Sequence, residues 1–227
     1  MASHLEVDLV DPALDAWRPD ANLPPGGTLL VAVDDDAAVR SLRPMRWGLV
    51  PPWADDPAVG YRMINARSET AASKPSFRRA VASRRALVSA DGFFEWFRMP
   101  GGTKQPYLIR RTDGAPLALG AIWERWSPGA EEGLVTVSVL TTTANRILAP
   151  VHDRMPVVLG PRDWDEWLRP VPLEAERWAE LCGAAGDDVV ERLPVSTRVN
   201  DARNKGEQLL DPVEAPPGAP VGSGTAR

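Results

Sequence analysis

The sequence is poor in the residues that build metal and redox centres: its 227 residues include one cysteine, Cys182, and two histidines, His4 and His152. A lone cysteine closes no internal disulfide, and one thiol with two imidazoles does not furnish a zinc cage. Long apolar runs are missing too, none approaching the roughly 18 residues of a membrane span. The amino end, MASHLEVDLVDP, lacks the basic and apolar regions of a secretory signal. A cytoplasmic protein with no membrane contact is the expectation. No Gly-x-x-x-x-Gly-Lys, Gly-x-Gly-x-x-Gly or His-Glu-x-x-His motif occurs, so no cofactor is implied. Proline (23) and glycine (18) together stay below the level of low-complexity chains.

What is present is an ordinary globular composition, 44% hydrophobic and 25% charged, long enough to bury a core without staples. Nine tryptophans are many for this length; such rings serve in cores and on stacking surfaces. The net charge of −5 speaks against a bulk electrostatic nucleic-acid binder. The charge is uneven, however. Residues 1–42 carry −6, residues 43–85 carry +6 and residues 86–227 carry −5. A basic island in an acidic chain can hold a polyanion locally, or can be a solvated helix face.

Short runs rich in β-branched and aromatic residues predict strands at Thr28–Val33, Met45–Val50, Ala86–Ala90, Gly92–Phe97, Pro106–Arg110, Leu117–Trp123 and Leu134–Thr142. Pro100-Gly101-Gly102 and Ser127-Pro128-Gly129 read as hairpin connections. Helical spacing is confined to a segment from Ser73 or Ser76 through Arg85, to Pro161–Leu168 and to Leu173–Cys182. In the first of these, Arg78, Arg79, Arg84 and Arg85 are expected on the polar face. The expected architecture is a single β-rich α+β domain over residues 1–213: a curved sheet or open barrel with peripheral helices. Residues 214–227, rich in Pro, Gly and Ala, are expected to be a disordered tail.

Three polar residues sit in apolar or aromatic surroundings. Glu95 interrupts the aromatic run Gly92-Phe93-Phe94-Glu95-Trp96. Alternation puts Phe93, Glu95 and Phe97 on one face and Phe94 and Trp96 on the other. A carboxyl flanked by rings is desolvated, which raises its pKa toward the range useful in acid–base work. The alternative is a strand glutamate paired with an arginine. His152 lies between Pro150 and Pro156 beside Asp153 and Arg154, as a proton-transfer group or as a structural imidazole. Asn65, followed by Arg67, suits a turn or a phosphate contact.

Five blocks make a more specific pattern: Met45-Arg46-Trp47-Gly48-Leu49-Val50-Pro51-Pro52-Trp53-Ala54, Asn65-Ala66-Arg67-Ser68-Glu69-Thr70, Ala90-Asp91-Gly92-Phe93-Phe94-Glu95-Trp96, His152-Asp153-Arg154-Met155-Pro156 and Val195-Ser196-Thr197-Arg198-Val199-Asn200. In this order the chain resembles the SOS-response-associated peptidase family, the abasic-site processing proteins, over residues 20–213. The resemblance implies a monomeric sensor of abasic sites in single-stranded DNA, associated with the nucleoid when bound. It implies an α-amine and a thiol, both from a cysteine exposed by methionine removal, that capture the ring-opened aldehyde as a Schiff base and then a thiazolidine. It assigns Glu95 to acid–base work at that amine, His152 to the deoxyribose oxygen and Asn65 to orienting the terminus. Arg67 and Arg154 would hold phosphates, Trp47 would stack on a base or sugar, and Asn22 and Pro25, in a loop similar to the family's Asn-Val-Ala-Pro, would touch DNA.

Position 2 departs from that pattern. It is Ala2, and the family's Cys-Gly-Arg opening is absent. By the usual element lengths, roughly 15–20 residues are expected to be missing from the front. Either the true start lies upstream at a Met-Cys-Gly-Arg, or the nucleophile has been lost from a binding module. With Ala2 exposed, its amine is the remaining Schiff-base candidate, able to cleave by β-elimination. Cys182, on an amphipathic segment, fits a small buried hydrophobe. Peptidase action, from the family's older name, finds no nucleophile with base and orienter, although self-cleavage of the initiator methionine stays open.

Overall fold

The computed structural model describes residues 2–129 and 133–223. Eleven strands run in chain order: β1 (Leu9–Val10), β2 (Thr28–Asp34), β3 (Arg40–Trp47), β4 (Asn65–Arg67), β5 (Arg85–Ala90), β6 (Phe93–Arg98), β7 (Lys104–Arg111), β8 (Leu117–Trp126), β9 (Leu134–Thr143), β10 (Arg154–Pro156) and β11 (Val190–Pro194). Four short helices accompany them: α1 (Ser68–Ala71), α2 (Arg78–Ser83), α3 (Trp164–Leu168) and α4 (Ala175–Leu181). The larger sheet has the order β1-β3-β2-β5-β8-β9-β10, with β4 also on β9. It closes on itself because β3 pairs with β9 in parallel, Arg46 opposite Thr136 and Trp47 opposite Val137. The result is a five-strand barrel-like sheet in an α+β domain, the expected class. A second, three-stranded sheet has the order β11-β7-β6. Among the described residues no helix is long and apolar enough to cross a membrane.

Strand alternation explains both cores. Leu30, Ala32, Leu87, Ala118, Ile122 and Leu140 share one face with Trp164, Trp167, Leu168, Leu181, Phe77 and Val81 of the helical segments. Their neighbours Val31, Val33, Val88, Leu119, Val137 and Val139 face the other way, onto Tyr107, Ile109, Phe93 and Phe97 of the second sheet. A residue shift of one would swap these sets, so the register is strongly determined. The tryptophans staple the helices: Trp167 donates to Ala86 O at 2.9 Å and stacks on Trp178, which donates to Ser68 O.

Four expectations change. The first helix stops at Ser83, and Arg85 opens β5 as a 2% exposed side chain. Its guanidinium donates to five carbonyls, of Val81, Ala82, Trp167, Arg169 and Val171. Arg84 pairs with buried Glu124 at 2.6 Å. One cation of the basic island is therefore internal and a second is half-buried in an ion pair. The strand expected from Met45 to Val50 instead begins at Arg40 and ends at Trp47. Gly48 adopts φ +119°, and a Cβ there would lie 2.5 Å from the Gly60 carbonyl oxygen, so the chain turns where only glycine fits. The tail expected to be disordered is docked through residue 223, as Val213 N–H bonds Pro194 O and Ser223 N–H bonds Arg192 O; residues 224–227 lie outside the described residues.

Candidate functional site

β9 is the spine on which the site assembles. On one edge it receives β3, ending at Trp47, and then β4, with Asn65 opposite Val139 and Arg67 opposite Thr141. On the other edge β8 gives way to β10, with Arg154 opposite Thr143 and Pro156 opposite Thr141. Residues 47, 65, 67 and 154, scattered in sequence, thus reach one stretch of one strand. Trp47 is fixed further: its indole N–H donates to Ile64 O at 2.9 Å, and its backbone pairs with Gly26 and Gly27 of the 22–27 loop.

Glu95 comes from β6, opposite Tyr107 of β7. Phe93 and Phe97 join the core between the sheets, whereas Phe94 packs with Leu108, Val195 and Val199, and Trp96 donates to Asn200 Oδ1 at 2.7 Å. The strand faces are those that alternation assigns. Burial pushes the Glu95 carboxyl above the usual carboxylate range, opposed by the nearby His152 and reinforced by Asp153. The imidazole, 57 positions away in sequence, thus lies within electrostatic range of the carboxyl.

His152 ends the turn that follows β9, its N–H bonded to Leu148 O at 3.0 Å. Its Nδ1 accepts the Arg154 backbone N–H at 2.9 Å. The same Nδ1 lies 3.3 Å from Arg154 O and 3.3 Å from Asp153 Oδ1, so its own turn engages this nitrogen, and Nε2 makes no hydrogen bond among the described residues. Asn65 is exposed, and its carboxamide makes no hydrogen bond among the described residues.

The cationic rim differs from a simple pair of phosphate clamps. Arg67 is exposed beside Glu69. Arg154 is held end-on by Glu69, Nη1 to Oε1 at 2.7 Å and Nη2 to Oε2 at 2.8 Å, with Nη2 also donating to Thr141 O. The paired guanidinium holds the Glu69 carboxyl below the usual carboxylate range. Glu69 was visible in its sequence block, but nothing in that block marks it as the partner of a residue 85 positions away. Trp53, 63% exposed, and Tyr61, with Arg46 5.0 Å above its ring, are further aromatic surfaces that the sequence did not single out.

Two expected contacts are placed elsewhere. Asn22 is buried, its amide spent on the carbonyls of Val199, Asp201 and Asn204. It ties the 22–27 loop to the 197–205 segment and leaves no polar atom of its side-chain NH2 for DNA, while Pro25 stays exposed. Ala2 opens a 3-10 turn, Ala2–Leu5, whose His4 lies edge-on to Trp164 and whose Leu5 is buried among the helices. That is the face of the larger sheet opposite the Glu95 strand. The structure puts His152 within electrostatic range of Glu95 and sets Asn65, Arg67, Trp47 and Arg154 on one spine, but does not bring the segment after Ala2 to them. Cys182 is buried near Arg85 and Glu69, its thiol pushed up to about 12 by burial, so it is no nucleophile.

Fold and site together define a closed β-barrel domain with a half-buried carboxyl on the second sheet, an exposed imidazole within its electrostatic range, and aromatic and arginine side chains gathered along β9. The chain belongs to the SOS response associated peptidase (SRAP) family, which it matches over residues 2–202. It is similar to the abasic site processing protein YoaM of Bacillus subtilis (strain 168), 38% identical over 195 residues that cover 86% of each chain. It is also similar to the abasic site processing protein YedK of Escherichia coli (strain K12), 35% identical over 196 residues, 85% of this chain and 84% of that one. Among solved structures, a protein of Bacteroides thetaiotaomicron superposes with a TM-score of 0.72 at 24% identity, covering 83% of this chain and 82% of the other.

Proposed function

We propose that the protein processes abasic sites in single-stranded DNA, acting as a monomer through Glu95 and His152. The observation that carries this reading is a carboxyl on β6 made more basic by burial, within electrostatic range of an imidazole whose Nδ1 is engaged by its own turn. In this reading Arg67 lies along the phosphate path, and Trp47, Trp53 and Pro25 offer surfaces to bases and sugar. Stacking tolerates any base, which suits a lesion met in any sequence.

The chemistry follows from the abasic sugar, which opens to a C1′ aldehyde. As the furanose opens, the C1′ hydroxyl gives its proton to the Glu95 carboxylate while His152 delivers a proton to the ring oxygen and regains one from solvent. An α-amine adds to C1′, and the aldehyde oxygen takes up the proton that the nitrogen loses. Glu95, protonated, then gives its proton to that hydroxyl, which leaves as water while the nitrogen lone pair closes the imine. Asn65 orients the attacking amine. With cysteine at the amino end, its thiol adds to the imine carbon and a thiazolidine closes. With Ala2 there, the sequence stops at the imine or proceeds to strand cleavage by β-elimination.

A second reading, non-covalent recognition of the abasic nucleotide, is favoured by one observation: His4 and Leu5 lie on the face away from Glu95. Borohydride trapping separates the two. The chain as given, the same chain preceded by Met-Cys-Gly-Arg and the framing residues of an upstream start, and Glu95→Gln are each incubated with a single strand carrying one abasic site. A denaturant-stable adduct that depends on Glu95 supports covalent processing. Tight, salt-sensitive binding without any adduct from either chain supports recognition alone. No preference for abasic over intact single strands from either chain overturns both.

A further inference from the structure

The segment after Val213 has no part in the chemistry above, yet it is bonded to the supports of both halves of the pair. Tyr107, the register partner of Glu95, is wholly buried and donates its hydroxyl to Pro220 O at 2.6 Å. Arg192 of β11 lies 5.9 Å over the Tyr107 ring. Its Nη2 donates to Val221 O at 2.8 Å, its backbone N–H to Ser223 Oγ at 2.8 Å, and its carbonyl accepts Ser223 N–H at 2.8 Å. Its Nη1 donates to Ile147 O. Ile147 belongs to the turn that carries His152, in which Leu148 O accepts the N–H groups of Val151 and His152.

Arg192 is 6% exposed, has no carboxylate partner, and its Nε is buried without a bond among the described residues. Burial holds its guanidinium below the usual arginine range. A cation in such a place is tolerated only while carbonyls surround it. Those carbonyls come from two segments far apart in the chain, the His152 turn and the carboxyl-terminal tail. Loosening the tail removes Val221 O and admits water to Nη2. The competition for the guanidinium then falls on Ile147 O.

We propose that Arg192 is a positioning residue and residues 219–223 a strap that together hold in place the turn that carries His152. The proposal rests on the function proposed above, since it concerns the same pair. Docking of the strap sets how the turn presents the imidazole to the sugar.

The test uses the full chain with lesions that each remove one hydrogen bond to the strap, Tyr107→Phe from β7 and Ser223→Ala within the strap itself, beside Arg192→Met and Arg192→Lys. With only two histidines, ring signals of His152 are assigned by comparison with His4→Gln. Expected are exchange of the Val151 and His152 amides about fivefold or more faster in both strap variants, a displaced His152 titration, and a shifted pH profile of abasic-strand reactivity or binding. Arg192→Met shows larger effects, and Arg192→Lys recovers part of them. Free exchange of the Ser223 amide in the strap variants, with the Val151 and His152 amides and the His152 titration unmoved, overturns the proposal, even if Arg192→Met fails to fold. The exchange and titration need no DNA. A chain that shows the coupling but ignores abasic strands therefore sinks the function and leaves the strap.

Discussion

Replacing Glu69 by glutamine tests the charge bookkeeping of the site most directly. Arg67 and Arg154 bring two positive charges to the rim, and Glu69 cancels one of them by end-on pairing. The rim therefore presents a net +1, and +2 after the substitution. Each phosphate neutralised on a single strand contributes about −0.7 to the slope of log affinity against log salt. Glu69→Gln is expected to steepen that slope by ~0.7, which over a fourfold change in salt amounts to roughly 2.5-fold in affinity. In the parent protein a phosphate must first displace a half-exposed bidentate pair, a cost of about 0.5–1 kcal/mol. Removing it tightens binding about two- to fivefold at low salt. The assay is a fluorescence-anisotropy titration of an abasic single strand at several salt concentrations, with Arg154→Ala added to complete a double-mutant cycle. The increment vanishes in the double variant. Weaker binding by Glu69→Gln, or an unchanged slope, would show that Glu69 presents Arg154 to DNA rather than competing for it, and would refute the argument.

The raised pKa of Glu95 makes the folded protein bind a proton that the unfolded chain releases above about 4.5, so stability falls as pH rises through the folded value. Glu95→Gln is expected to be more stable than the parent in urea at pH 7–8, an advantage that disappears near pH 4; equal stability at both would contradict the burial argument. Arg85→Met removes five buried donor contacts at the ends of α2 and α3 and should cost about 3–5 kcal/mol, lowering Tm by roughly 10 °C. A loss under about 1 kcal/mol would mean water replaces the guanidinium there. Trp53→Ala, which changes a ring already in solvent, should leave Tm within about 2 °C and weaken single-strand binding by about 1–3 kcal/mol. Unchanged affinity would remove Trp53 from the DNA surface.

The longer strands were legible because their apolar residues alternate or run continuously between turn residues, as in β2 and in β5 to β9. The three-residue strands β4 and β10 were not, since they exist only by pairing with β9 and are too short to show a pattern of their own; the partner of β4 lies more than 70 positions away. Arg85 was misread for a related reason. Local periodicity placed it on a polar helix face, whereas its burial is set by carbonyls of residues 167–171. Proline and glycine content made the tail look free, but Tyr107 and Arg192 offer it a donor-lined track along β11. At the site, the composition of the aromatic strand carried the desolvated carboxyl of Glu95. The engagement of Arg154 by Glu69 and the use of the Asn22 amide as an anchor depend on tertiary approach, which residue type does not disclose.

The single strand that gathers the rim also separates two design problems. Trp47, Asn65, Arg67 and Arg154 inherit their spacing from hydrogen-bond register along β9, so they translate together and cannot drift independently. The stretch 51–59, between Trp47 and β4, takes no part in that register. Lengthening a flexible connection costs only about 0.6 kcal/mol per doubling. An insertion beside Asp55 can thus enlarge or reshape the mouth above the spine while the distances beneath it stay as they are. The same architecture offers a substitutable lid on an invariant floor, with specificity for flanking strand or junction adjustable without retuning the reacting groups.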